Sequence, residues 1–391
     1  MSKEEIRTFI EKEKNCGNVF HFFCPYRVCP LGAHVDHQLG LVTGFAIDKG
    51  TNFSFFATEN CEIEVYSDNF EGFAIGNLNE EYERQYIWAD YLFSAAYALK
   101  KSYTLTKGLK GIVSGEVLGG GLSSSASVIL TYLKSLAFVN DINLTSVELV
   151  NLAIDAERNF IGVNVGKLDQ SCEVFSKKDN LLYLDTKTDS AKLIKIPENM
   201  PDFEIAIIFS GLERKLAGSA YNMRVDECKA ASYALKGFAH IEYGKFNDTY
   251  LRDVPAGIFL QYKDKLPSNW AKRAEHFYFE NERVKKGVKA FQNGNLEEFG
   301  KLIFESGRSS IEKYETGSEE LKVLQDIMEN TEGIYGGRFS GAGFNGCAMA
   351  IVNPAKKNEI AKKIRTEYLR SFPELKPTFN IIFCKTADGI N

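Results

Sequence analysis

The 391-residue chain lacks the marks of several protein classes. It has no run of about eighteen apolar residues, so nothing in it reads as a membrane-crossing helix. It has no basic surplus either: Lys and Arg total 47 against 52 Asp and Glu, a formal charge of −5, which argues against a nucleic-acid or membrane-surface partner. The eight cysteines are scattered without a CxxC pair, which disfavours a disulfide scaffold and suits reduced thiols. The opening "MSKEEIRTFIEKEKN" is charged and helix-like with no apolar leader, so a cytoplasmic protein is expected. No internal repeat or low-complexity tract is visible. No glycine loop is followed by GK[ST], which excludes the Walker phosphate loop.

What is present is an alternation of strand-like and helix-like runs. "FHFFCPYRV", "GFAIDKGTNFSFFAT" and "GLKGIVSGEV" are rich in Phe, Val and Ile with turn residues at their ends, and predict strands. "RQYIWADYLFSAAYALKKS" sets Trp88, Leu92, Ala96 and Leu99 on one helical stripe. "TSVELVNLAIDAERNF" opens with Thr145 three residues before Glu148, the pattern of a capping box. Near Pro197 and Pro201 the character changes to a linker and a buried strand, dividing the chain into residues 1–195 and 202–391. The length supports two domains. The second half runs through helices, a glycine turn feeding the strand of "GRFSGAGFNGCAMAIV", then a helix and a last strand, an α+β pattern.

Three stretches carry chemistry. "LGGGLSSSAS", from Leu118 to Ser127, curls the backbone at three glycines so that successive N–H groups can face an anion, and then starts a helix whose dipole points the same way. Ser123, Ser124 and Ser125 can bind phosphate oxygens or a magnesium ion. The plainer reading is a glycine turn with a serine cap. In "GVNVGKLDQ", Asp169 lies in a glycine-flanked, otherwise apolar stretch that a surface carboxylate does not need, and Arg27 follows an apolar strand in the same unexpected way. The third stretch, "RFSGAGFNGCAMAIV", is a turn that can also meet a ligand.

Together these stretches resemble the GHMP small-molecule kinases, and among them the galactokinase branch. The sugar signature of that branch, roughly GRVNLIGEHTDYNGG, stands here as "YRVCPLGAHVDHQLG"; the phosphate loop is nearly unbroken, and the third signature has Asn345 where glycine is usual. The resemblance spans nearly the whole chain in the expected order. It implies a two-domain α+β fold, with an N-terminal α/β domain, a C-terminal ferredoxin-like α+β domain and the active site in the cleft between them. It implies transfer of the γ-phosphoryl group of ATP, with Mg2+, to the anomeric C1 hydroxyl of a sugar.

Carried over by position, the resemblance makes Asp169 the catalytic aspartate and Arg27 its partner. Gly119, Gly120, Gly121, Leu122, Ser123, Ser124, Ser125 and Ala126 become the ATP-phosphate loop, with Ser124 and Glu157 as magnesium ligands. Ser340, Gly341, Ala342 and Gly343 form the third glycine motif, and Ala33, His34, Asp36, His37 and Tyr221 line the sugar pocket beside Asp169. A monomer is expected, with no partner beyond sugar and ATP.

One departure bears on the substrate. Galactokinases carry glutamate where this chain has Ala33, a carboxylate that faces the C6 end of galactose. A substrate whose own C6 is a carboxylate gives a reason to lose it, since two carboxylates about 4 Å apart repel by roughly 4 kcal/mol at an effective dielectric near 20. "CPYRVCPLGAHVDHQ" and "RFSGAGF" also look closer to the galacturonate kinases of plants. D-galacturonate is therefore the expected substrate, with D-galactose the alternative and a non-catalytic sugar sensor a distant third. His37, Arg214, Lys215 and Arg224 are candidate donors to the extra carboxylate.

Overall fold

The Phe-, Val- and Ile-rich runs of the first half become one sheet, because each presents an apolar face that only a neighbouring strand and a covering helix can bury. The computed structural model describes residues 2–13, 18–116, 120–212, 218–343 and 346–390. In chain order the first part comprises α1 (Lys3–Glu13), β1 (Phe20–Val28), β2 (Leu41–Thr58), β3 (Glu62–Ser67), β4 (Phe73–Asn77), α2 (Asp90–Lys100) and β5 (Gly108–Gly115). It continues with α3 (Ser124–Val139), α4 (Ser146–Asp155), α5 (Leu168–Phe175), β6 (Asn180–Asp185) and β7 (Ser190–Lys195). The strands form a seven-stranded sheet in the order β4-β3-β5-β2-β6-β7, with β1 also paired to β2. The eighteen-residue β2 is its spine, running antiparallel to β1, β5 and β6. Among the described strands only β3 and β5 pair in parallel, the crossover running through β4 and α2.

Helix α3 is apolar on nearly every side, and such a helix belongs inside. Ile129, Leu130, Leu133 and Leu136 are fully buried in one cluster with Phe53 and Phe55 of the sheet and Leu92 and Leu99 of α2. The capping box forms as its spacing predicts: the Thr145 hydroxyl accepts from the Glu148 N–H at 3.2 Å while the Glu148 carboxylate accepts from the Thr145 N–H at 2.8 Å. Beyond Asp155 the helix widens into a π-helical turn, Ala156–Ile161, that carries Glu157.

The second part holds β8 (Glu204–Phe209), α6 (Gly218–Phe238), α7 (Ala256–Tyr262), α8 (Ser268–Gln292), α9 (Leu296–Glu312) and α10 (Glu319–Glu329). It closes with β9 (Ile334–Phe339), β10 (Cys347–Val352), α11 (Lys357–Ser371) and β11 (Asn380–Cys384). Its sheet is antiparallel in the order β11-β8-β10-β9, and β8 and β10 are buried along most of their length. The stretch around the third glycine motif is a hairpin, with β9 before the turn as well as β10 after it. After β11 the chain returns to the first part, where Ala387 N–H bonds the carbonyl of Ala46 on β2 and Gly389 N–H that of Ser176 at the end of α5. Between the sheets, Leu31 of the β1–β2 loop packs with Val284 of α8 and Phe299 of α9. No helix among the described residues is long and apolar enough to cross a membrane.

Candidate active site

The loop between β1 and β2 is "CPLGAHVDHQLG", and α8 fixes its course. Glu280, fully buried on α8, accepts the backbone N–H of Gly32 at 2.8 Å and of Ala33 at 3.3 Å, the Ser306 hydroxyl at 2.6 Å, and Arg283 at 2.7 Å. Burial alone would raise its carboxyl, but Arg283, then His276, the Ser306 hydroxyl and Arg338 bring it down to about 2. His276, also on α8, donates from Nε2 to the Ala33 carbonyl at 2.9 Å. Gly32 has φ +99°, and a Cβ there would sit 2.5 Å from the Cα of Val42, so the turn requires glycine.

This loop forms one wall of a cavity of about 580 Å³. Ala33, His34 and Asp36 line that wall, Gly120, Gly121 and Ser123 to Ser125 line another, and Asp169 and Arg27 lie between them. The third glycine motif contributes Gly341 and Ala342, and α6 contributes Tyr221.

Arg27 Nε donates to Asp169 Oδ1 at 2.6 Å, and Arg27 also bonds the Gly121 carbonyl at 2.9 Å. The Ser123 hydroxyl donates to the other oxygen of Asp169. Burial would lower the Arg27 guanidinium, but the charge and hydrogen bond of Asp169 raise it beyond the ordinary arginine range. Ser123 occupies the cap position of α3 in a left-handed conformation, φ +63°, yet its hydroxyl goes to Asp169 and not to a helix N–H. The first turn of α3 therefore has no side-chain cap and faces the cavity with its N–H groups available to an anion.

Gly121 locks this loop to the third motif. Its carbonyl also accepts the Ser340 hydroxyl at 2.7 Å, and a Cβ at Gly341 would lie 2.9 Å from the Cα of Gly121. Ser340 and Gly343 themselves sit behind the lining, as do Leu122 and Ala126 of the phosphate loop. Glu157 is buried on the π-helical turn, accepts the Gln170 amide, and does not line the cavity.

Other predicted residues are placed differently. His37 is turned away from the cavity: Gln38 donates to its Nδ1 at 3.1 Å, its Nε2 lies 2.9 Å from the Tyr314 hydroxyl, and burial lowers it to about 3. Arg224 is taken up by Glu227 and the carbonyls of Tyr314 and Glu315. Gly119, Arg214, Lys215 and Asn345 lie outside the described residues.

Two groups escaped the sequence reading. Arg338, at the end of β9, lines the cavity while 2% exposed. It opens the very motif "RFSGAGF", whose glycines drew the attention. Glu173 stands one helical turn after Asp169, fully buried, with neither carboxylate oxygen hydrogen-bonded among the described residues. Burial, then the neighbouring Asp169, pushes its carboxyl well above the usual range, so it is held neutral.

A glycine loop and an uncapped helix N-terminus facing an arginine-held carboxylate across a cleft define a phosphotransferase acting on a small molecule. Comparison with known proteins gives the family. The profile of the GHMP kinases N terminal domain matches residues 90–177, and that of the GHMP kinases C terminal matches residues 288–370. The chain is 36% identical to a galacturonokinase of Arabidopsis thaliana, covering 99% of this chain and 96% of that one. It is 34% identical to a galactokinase of Clostridium perfringens over 89% of each chain. The crystal structure of Lactococcus lactis galactokinase complexed with galactose superposes with a TM-score of 0.89 at 29% identity, covering 99% and 98% of the two chains. The chain belongs to the GHMP kinases. It has their two-domain mixed α+β fold and is an ATP-dependent sugar 1-kinase of the galactokinase branch.

Proposed function

We propose that the protein transfers the γ-phosphoryl group of ATP to the C1 hydroxyl of D-galacturonate, giving galacturonate 1-phosphate and ADP. The observation that carries this reading is Ala33. It is 4% exposed in the cavity wall, held by its own N–H and carbonyl to Glu280 and His276, and it brings no carboxylate to the sugar. The acidic side chains that line the described cavity are Asp36 and Asp169, and Asp169 is engaged by Arg27 and Ser123.

In the reaction the C1 oxygen bonds the γ-phosphorus as the bond to the bridging β–γ oxygen breaks, and ADP leaves. Asp169 orients the C1 hydroxyl and takes its proton. Its two oxygens keep lone pairs beyond those used by Arg27 and Ser123. The N–H groups of the α3 first turn receive phosphate oxygens where charge grows. The Ser124 hydroxyl, on the cavity wall, is a hard oxygen donor of the kind that suits magnesium, which when bound would neutralise phosphate charge; Glu157, the other expected ligand, lies behind the lining with its carboxylate on the Gln170 amide. The remaining chemistry is positioning.

The test is ADP release with ATP and Mg2+ on galacturonate, glucuronate and galactose at equal concentration. Preference for galacturonate is expected. Preference for galactose would make the enzyme a galactokinase in which Ala33 has no bearing on choice of sugar.

A further inference from the structure

Arg338 is a charge without a matching charge. None of the ion pairs among the described residues includes it, although it is 2% exposed and borders the cavity. Its hydrogen bonds are long: 3.4 Å to the Cys29 carbonyl and 3.3 Å to the Ser310 hydroxyl, while its Nε has no partner among the described residues. The nearby Glu280 lends part of its field to Arg338 but makes no hydrogen bond to it, because Gly32, Ala33, Ser306 and Arg283 take up its oxygens. Arg27 has its own carboxylate in Asp169. The histidines around Arg338 add no negative charge, and burial together with the positive field of Arg338 keeps His34 neutral.

A buried cation left uncompensated by the fold costs stability, so such a group is retained where a ligand completes it. His34 shares the wall. It stacks on Tyr314 at 4.4 Å between ring centroids, lines the cavity, and its Nε2 is buried without a partner. One wall of the cavity thus holds an unmatched guanidinium and an unmatched imidazole nitrogen, next to an alanine that offers neither charge nor hydrogen bond.

We propose that Arg338 is the specificity-determining residue of this kinase, receiving the carboxylate of a hexuronic acid substrate at the wall formed with Ala33 and His34. The inference rests on the acid-sugar reading above and deepens it. A guanidinium can meet a carboxylate through two parallel N–H bonds, a geometry that a neutral C6 hydroxyl does not complete. The acid sugar then gives Arg338 an ion-pair partner, whereas galactose leaves it buried without one.

The experiment begins with the wild-type enzyme and turnover of D-galacturonate and D-galactose. A wild-type preference for galactose sinks the acid-sugar reading itself, whatever Arg338 does. With a preference for galacturonate established, Arg338→Gln is expected to raise KM for galacturonate by about 100-fold with kcat nearly kept. KM for galactose should change by less than about threefold. The melting temperature of the free variant should not fall, because an unpaired buried charge has been removed, while its thermal shift with galacturonate disappears. Arg338→Lys retains a charge without the fork and should recover part of the loss. Equal losses on both sugars, or an unchanged KM for galacturonate, overturn the assignment while leaving the substrate reading intact. If the Gln variant does not fold, the Lys variant decides alone: a rise in KM at least about fivefold larger for the acid sugar supports the assignment, and equal changes refute it.

Discussion

The Arg27–Asp169 pair allows a sharp test of how the candidate active site is held together. The bond is 2.6 Å long, and the side chains are 5% and 27% exposed. With charge centres about 4 Å apart and an effective dielectric near 20, the attraction is about 4 kcal/mol. Much of that offsets desolvation, so the pair is close to neutral as a whole, but removing one partner strands the other at a cost of about 3–5 kcal/mol. Unfolding entropy of roughly 2.1 cal/mol/K per residue gives about 0.8 kcal/mol/K for a chain of this length, so that cost is about 4–6 °C in melting temperature. Arg27→Met and Asp169→Asn should each show a drop of that order. The double variant should melt above either single one, because it strands no charge. All three should lose the phosphoryl-transfer activity. The assay is thermal denaturation of the four proteins at one pH, with ADP release alongside. A double variant less stable than both singles would refute the reasoning, since it would mean the two side chains stabilise the fold independently.

Three further outcomes are expected. Ala33→Glu would set a carboxylate against the substrate's own and should weaken galacturonate by up to about a thousandfold, moving the kinetic preference toward galactose; unchanged galacturonate turnover would contradict it. Gly121→Ala forces a side chain into φ +102° and brings Cβ to 2.9 Å from both Cys347 Sγ and the Ser340 carbonyl, so KM for ATP should rise and about 1–3 kcal/mol of stability should go, measured by kinetics and urea unfolding. Glu173, neutral in the fold, binds a proton that the unfolded chain has already released. Its contribution to stability therefore falls as pH rises from the ordinary carboxyl range toward its raised value, by about 1.4 kcal/mol per unit. Glu173→Gln should flatten that slope in urea unfolding between pH 5 and pH 8, and parallel slopes in the two proteins would rule the account out.

Local order was legible in the sequence where neighbours along the chain decide it. The strand "FHFFCPYRV" coincides with β1, and Thr145 and Glu148 form their box because both partners lie within one helical turn. Arg27 and Asp169 stood out because a charge in an apolar stretch needs a reason, and the structure places them in contact across 142 positions. What the sequence hid is partnership at long range. Nothing around Gly32 announces that its N–H is held by Glu280, 248 residues away. His37 resembled a pocket residue beside His34, but the tight turn at Asp36–Gln38 points it toward Tyr314 instead. Arg338 was hidden differently, because its importance lies in having no carboxylate partner, and an absent partner leaves no periodicity or motif.

The buried charges of the cleft can be followed to a remainder. Arg27 is matched by Asp169 and Arg283 by Glu280, Asp36 accepts the Leu168 N–H at the cavity wall, and Glu173 and Arg338 have no ion-pair partner among the described residues. These two stand in opposite positions. A carboxylate without a partner can take up a proton and become neutral, and burial pushes Glu173, one helical turn after Asp169, in that direction. A guanidinium cannot lose its charge in a protein, so Arg338 stays positive however deeply it is buried. The free enzyme therefore keeps a positive charge at its cavity wall that no ion pair among the described residues includes. A neutral sugar leaves that charge unpaired, whereas an acid sugar pairs it on binding. On the acid-sugar reading proposed above, selectivity comes from a charge in the enzyme that the substrate's carboxylate matches, and the alanine at position 33 and the arginine at 338 are two sides of one arrangement.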